Sequence, residues 1–271
     1  MGIIDISSEK KELFHEEGYM ILEGAISPSH LELLRDECQL AIDRIDAQMD
    51  HEGTDKLGVW HGDTKESLNF KHHRGNRYFI DNCFKLQPNL RQFLFSELMA
   101  MICLSTLGKN AYLFWEQYVI KGAHKGKKFS WHQDSGYVNY PDHKPYLTCW
   151  CALDDMSEAN GTLHLLPFSK VGIRSYVQHI VDEDSNDKVG YFGNDPGLTI
   201  EMEAGSILAF TSLSFHSSGT NTTDKFRRAY IAQYSCEPIM SADGEKLWGN
   251  AEPFLIDGRL VEDFSMQSIG S

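Results

Sequence analysis

The chain has 271 residues, 41% of them hydrophobic, and a formal net charge of −14. That length is ample for a buried core in one large domain, and the acidity argues against nucleic-acid binding through a basic surface. Six cysteines form no Cys-x-x-Cys pair, no apolar run approaches a membrane span, and Met1-Gly2-Ile3-Ile4-Asp5 is not a secretory signal. The expectation is a cytoplasmic, reduced protein whose partner is a small molecule, not a nucleic acid or a membrane.

In chain order, residues 8–18 predict a short helix stopped by Gly18, and Tyr19-Met20-Ile21-Leu22 predicts a strand. Ser27-Pro28 has the form of a helix start, a capping serine followed by proline in the first turn. Leu31, Leu34, Cys38, Ile42, Ile45 and Met49 then recur at steps of three and four, the pattern of an amphipathic helix ending near Gly53. Its apolar face predicts a buttress. Residues 51–82 read as an irregular polar loop holding a basic cluster, Lys71-His72-His73-Arg74-Gly75-Asn76-Arg77. Either a solvated face or an anion-binding patch fits that cluster. Residues 88–107 predict a further helix ended by Gly108.

From residue 111 short β-rich segments alternate with turns: 112–120, 129–134, 146–153, 162–167, 198–202, 206–211 and 227–235. Such a series predicts a sandwich or barrel, with 174–197 as an excursion over its mouth. One domain, 1–271, is expected: a helical part to 110, a β core over 111–240 and a C-terminal extension over 241–271.

His132 and Asp134 sit two positions apart, so on an extended strand both side chains project the same way. With His216 they would complete the two-histidine, one-carboxylate set that binds Fe(II) on one face and leaves the other open. A lone His-x-Asp is weak evidence and a lone histidine is more often a core residue. Arg227-Arg228 opens an apolar strand eleven positions after His216; alternation sends the two to opposite faces without saying which is inside.

Taken together, His132-Gln133-Asp134, Cys149-Trp150-Cys151-Ala152-Leu153-Asp154-Asp155, Asn160-Gly161-Thr162-Leu163, Leu166-Pro167, His216-Ser217-Ser218-Gly219 and Phe226-Arg227-Arg228-Ala229 resemble the phytanoyl-CoA dioxygenase family. The resemblance runs through residues 129–235, and the Glu17-Gly18-Tyr19 entry and Ser27-Pro28 helix are similar too. It implies a double-stranded β-helix, a cupin-like jelly roll, with an N-terminal helical buttress. It also implies a non-haem Fe(II), 2-oxoglutarate- and O2-dependent oxygenase. By position, His132, Asp134 and His216 resemble the iron ligands. Arg227 resembles the arginine that holds the distal carboxylate of 2-oxoglutarate, with Arg228 as rival, and Ser218, Trp150 and Gln117 fall along the cosubstrate pocket. An aspartate at 134 implies hydroxylation or a related oxidation, since related halogenases carry a small residue there. For the substrate, Arg74, Arg77, Tyr137 and Asn139, with Tyr140, suggest a small polar or anionic metabolite such as an amino acid or aminophosphonate. Two other classes stay open: a cupin-type metalloenzyme without 2-oxoglutarate, and a non-catalytic binding module on the same barrel.

Overall fold

A computed structural model describes residues 6–58, 71–124, 128–138, 143–182 and 187–261. Helix α1 (Ser8–Glu17) opens the chain and stops at Gly18, whose φ of 84° lies in the left-handed region. Strand β1 (Tyr19–Leu22) follows, then helix α2 (Pro28–Glu52), with Ser27 accepting the His30 backbone N–H as its cap. Leu34, Cys38, Ala41 and Ile42 of α2 are buried in one stripe. Burial of such side chains contributes about 1.5–3 kcal/mol each, so packing rather than helix propensity holds α2 in place.

Residues 51–82 are not one irregular loop. They contain β2 (Lys56–Gly58), β3 (Lys71–His73) and β4 (Arg77–Asp81). β4 pairs in register with β5 (Ala111–Lys121) and buries Tyr78, Phe79 and Ile80. A three-residue apolar run between polar neighbours gives no periodicity, and tertiary pairing decides its state. The helix predicted over 88–107 is also broken. A turn of 3₁₀ helix (Pro88–Leu90) leads into α3 (Arg91–Leu94), and α4 (Glu97–Thr106) restarts because Ser96 caps the Met99 N–H.

The remaining elements are β6 (Phe129–His132), α5 (Ser135–Val138), β7 (Leu147–Ala152), β8 (Leu163–Leu166), α6 (Phe168–Val171), β9 (Ile180–Val181), β10 (Lys188–Val189), β11 (Leu198–Thr199), β12 (Ile207–Thr211), β13 (Phe215–Ser218), β14 (Arg227–Ser235), β15 (Glu252–Ile256) and β16 (Arg259–Leu260). The strands form a ten-stranded antiparallel sheet, ordered β1-β12-β7-β14-β5-β4-β3-β2 with β15 paired to β5 and β16 to β15, and a four-stranded sheet ordered β11-β8-β13-β6. The predicted excursion 174–197 carries the β9–β10 hairpin. The 241–261 part of the C-terminal extension, expected only as a tail, adds β15 to β5.

Both faces of the large sheet are covered, which is why β7 is buried at all six positions. Leu147, Cys149, Cys151, Ala209, Tyr230 and Ala232 pack against the helices, while Trp150, Ala152, Leu208, Phe210 and Ala229 pack toward Leu163 and Leu165 of the small sheet. The strand period of two sorts one sequence onto two cores. This is the jelly roll with a helical buttress. The site lies between its sheets.

Candidate active site

His132 ends β6 and His216 lies on β13, directly opposite in the ladder, with ring centroids 4.2 Å apart. Each ring is held the same way. The Nδ1 of His132 lies 2.7 Å from the Ser130 carbonyl and that of His216 lies 3.1 Å from the Ser214 carbonyl, each two residues upstream. A carbonyl can only accept, so each Nδ1 carries the proton and each Nε2 presents a lone pair. Burial, then the neighbouring His216, pulls the His132 pKa down to about 4. The neutral ring is the form that binds metal.

Asp134 converges by a different route from the one its spacing predicts. The strand stops at His132, and Asp134 sits in the turn that opens α5, its carbonyl accepting the Tyr137 N–H at 3.0 Å. Its Oδ1 lies 3.9 Å from His132 Nε2 and 3.5 Å from His216 Nε2. Its Oδ2 accepts from Thr148 Oγ1 at 2.6 Å and Gln233 Nε2 at 3.0 Å. One carboxylate oxygen is thus fixed by the large sheet and the other faces the two imidazoles. Candidate ligand atoms of the three residues all lie within 4.8 Å of one another. The donor set fits Fe(II) in the facial arrangement.

Beyond the triad is a buried corner of basic side chains. Arg227 opens β14, is 1% exposed, and donates from Nη2 to the Gly161 carbonyl at 2.8 Å, while its Nε and Nη1 have no partner among the described residues. Its guanidinium carbon stands 5.5 Å from the Trp150 ring centroid, and burial lowers its pKa to about 10. Arg228 points the other way, into a bidentate pair with Asp154 (Nε 3.0 Å, Nη2 2.6 Å). Of the two arginines, Arg227 is the one that lines the cavity.

Lys121, paired across from Arg227 in the β5–β14 register, is also 1% exposed. Its Nζ donates to Ser218 Oγ at 2.8 Å and to the Gly219 carbonyl. Burial, then Arg227, pushes its pKa well below the usual lysine value. Two buried cations therefore share one corner, and among the described residues neither has a carboxylate partner. Unpaired buried charge is costly, and the open Nε and Nη1 donors of Arg227 are available to an anionic ligand such as a carboxylate. Arg227 and Ser218 line the same cavity as the triad, so an anion held by the arginine would share that cavity with the three ligand residues. Lys121 reads as a turn residue beside Gly122 in the sequence; only its register opposite Arg227 gives it away.

The triad and Arg227 line one cavity of about 420 Å³, as do Gln117, Trp150, Ser218 and Tyr137, and Lys121 is joined to that wall through Ser218. Tyr137 stands edge-on to His132, with ring centroids 5.3 Å apart. Arg77, at the β4 position opposite Lys121, lies with its guanidinium carbon 5.3 Å from the Phe79 ring centroid, flanking the cationic end. Arg74 is not brought to the cavity: it is bound by Asp50 at 2.6 Å and Asp55 at 2.9 Å, with Asp46 at 3.8 Å. Asn139 and Tyr140 lie outside the described residues. The sequence missed the far wall, made by Phe114, Trp115, Leu247 and Trp248. A β-bulge, where the register passes from Gln233↔Trp115 to Tyr234↔Leu113, turns Phe114 and Trp115 to the same side. Gly249, at φ 80°, brings the C-terminal segment against them: a Cβ there would meet the Phe114 carbonyl at 2.9 Å.

Residues 14–229 match the family model for phytanoyl-CoA dioxygenase (PhyH). The chain belongs to the phytanoyl-CoA dioxygenase family. As a member it is a non-haem iron, 2-oxoglutarate-dependent oxygenase. The phytanoyl-CoA dioxygenase of Arabidopsis thaliana is 22% identical over 269 residues, covering 91% of this chain and 93% of that protein. The ectoine dioxygenase of Bordetella parapertussis is 28% identical over 156 residues, half of each chain. Among solved structures, EvdO2 of Micromonospora carbonacea var. aurantiaca in complex with 2-oxoglutarate superposes with a TM-score of 0.66 at 23% identity, covering 90% of this chain and 97% of that one. The carbocyclase SnoK of nogalamycin biosynthesis gives the same TM-score at 17% identity, covering 94% and 95%. This likeness establishes the shared fold. Among the described residues no helix is long and apolar enough to cross a membrane.

Proposed function

We propose that this member of the phytanoyl-CoA dioxygenase family oxidises a C–H bond of a small molecule, with His132, Asp134 and His216 holding Fe(II). Arg227 and Lys121 bind the distal carboxylate of 2-oxoglutarate, Ser218 positions the lysine, and Trp150 and Gln117 line the same pocket. The iron and cosubstrate, once bound, supply an oxidant made from O2 as 2-oxoglutarate is converted to succinate and CO2. The protein orients the pieces. Ser130 and Ser214 fix the imidazoles, Thr148 and Gln233 fix the carboxylate, and the paired cations set where the cosubstrate's far end rests.

The observation that carries this reading is the buried Arg227, its Nε and Nη1 unpartnered among the described residues, beside buried Lys121. A metalloenzyme that dispenses with 2-oxoglutarate has no use for that corner. The basic cluster that pointed to an anionic metabolite no longer supports one: Arg74 is spent on three aspartates and Arg77 flanks the cosubstrate end. Six free thiols, five of them buried, fit a reducing cytoplasmic setting.

Calorimetric titration of the Mn(II)-loaded protein with 2-oxoglutarate tests the proposal. Saturable one-to-one binding, lost in Arg227→Ala and outcompeted by N-oxalylglycine, is expected. Binding unchanged in Arg227→Ala would refute it.

A further inference from the structure

The inner face of the large sheet changes character along its strands. Along one face of β5 the residues run Lys121, Val119, Gln117, Trp115, the last three lining the cavity, and their partners on β14 run Arg227, Ala229, Ile231, Gln233. One end is cationic, and the other is neutral, amide-bearing and aromatic. The iron triad lies between, tied to the first end through Ser218, two residues past His216, and to the second through Gln233, which donates to Asp134.

The neutral end is well built. Phe114, Val138, Tyr146 and Ile239 form a buried cluster against which Trp115 and Trp248 pack, and the Phe114 and Tyr146 rings lie 4.9 Å apart. Apart from Asp134 itself, the charged side chains lining this half are Asp243 and Lys246, both on the exposed rim. Inside the rim, among the described residues, the polar side chains are uncharged: the Gln117 and Gln233 amides with Tyr137 and Tyr146. The Gln117 side chain has no hydrogen-bond partner among the described residues, and Gln233 uses only its Nε2, on Asp134 and Thr148. A charged group seated here would be desolvated without a counterion. A ring face would meet ring faces and edges at favourable distances.

We propose that the substrate is an uncharged, ring-bearing small molecule whose ring lies against the Phe114–Trp115–Trp248 wall and whose hydroxyl or carbonyl bonds to the Gln117 amide. This assignment rests on the oxygenase reading above, because it gives the cationic end to the cosubstrate. At about 420 Å³ for cosubstrate and substrate together, the cavity lies in the lower half of the range of roughly 300–1,000 Å³ usual for small-molecule sites. That suits a compact ring system rather than a long acyl chain.

The test uses full-length protein loaded with Mn(II) and 2-oxoglutarate, titrated calorimetrically with four probes. These are 2-naphthol (neutral), 2-naphthoate (anionic), 2-naphthylmethylamine (cationic) and L-glutamate (charged, without a ring). 2-Naphthol is expected to bind about tenfold or more tighter than each charged probe. Gln117→Leu should weaken it several-fold, and Trp248→Ala should do so while leaving 2-oxoglutarate affinity intact. Equal or tighter binding of 2-naphthoate or L-glutamate would overturn the assignment. So would failure of all four probes on a protein that still binds 2-oxoglutarate, an outcome that leaves the oxygenase reading standing. Failure to bind 2-oxoglutarate at all would remove both.

Discussion

Lys121 and Arg227 stand directly opposite each other on β5 and β14, both buried, with only neutral oxygens as hydrogen-bond partners. Two like charges desolvated side by side are tolerated where a ligand supplies the counter-charge. Arg227→Ala should weaken 2-oxoglutarate binding by about a hundredfold or more, in line with the roughly 2–5 kcal/mol lost when one member of a buried charge pair is removed. Arg227→Lys should recover little, since a lysine offers no fork. Lys121→Met should weaken binding less, about tenfold, because Arg227 remains. Equilibrium titration of the Mn(II) form distinguishes the three.

The same corner predicts a proton linkage. Burial and Arg227 hold Lys121 toward its neutral form in the free protein, and a bound carboxylate favours the ammonium. Binding of 2-oxoglutarate should therefore take up protons, and affinity should fall as pH rises. Calorimetry in buffers of different ionisation enthalpy reads the uptake, which should vanish in Lys121→Met.

Much of this site was legible in the sequence, and the reasons differ by residue. His132 and His216 could be found because both end or lie on strands, where local spacing sets direction. Asp134 was found for an incomplete reason, since strand alternation fails at it and the α5 turn delivers it instead. Arg227 against Arg228 could not be decided, because alternation fixes relative but not absolute facing; the Asp154 pair decides it. Lys121 and Trp248 were invisible. Each depends on a contact about a hundred residues or more away in the chain: Ser218 and Arg227 for the lysine, Phe114 for the segment that carries the tryptophan. Arg74 misled because a basic cluster in an acidic chain looks like a ligand site, and the aspartates that neutralise it come from α2 and the turn after it.

Gln233 and Thr148 hold the outer oxygen of Asp134. Gln233→Leu should lower Fe(II) or Mn(II) affinity by about 10–100-fold, the usual effect of losing a group that orients a metal ligand. Thr148→Val should do the same. Metal titration followed by electron paramagnetic resonance of the Mn(II) form measures both, and unchanged affinity in the two variants would remove them from the site.

Behind the sheet, Glu116 is fully buried. It accepts the Phe84 N–H through Oε1 at 3.0 Å, the Tyr230 hydroxyl stands beside it, and burial, outweighing both, raises its pKa to about 7. A carboxyl whose folded pKa exceeds its unfolded value adds stability below the unfolded value, near 4.5, that is lost as pH rises through about 7. The span corresponds to about 3 kcal/mol. Glu116→Gln keeps an acceptor for Phe84 and removes the titration. The variant should gain on the wild type as pH rises from 5 to 8, read as the difference in urea midpoint at each pH.

The most direct measurement is an anaerobic titration of the metal-free protein with Fe(II) and then 2-oxoglutarate, followed by visible absorption. A weak charge-transfer band should appear only when both are present, be abolished in His132→Ala and be diminished in Arg227→Ala. Iron binding without a band at saturating 2-oxoglutarate would contradict the assignment of the triad and the buried cations to one cosubstrate site.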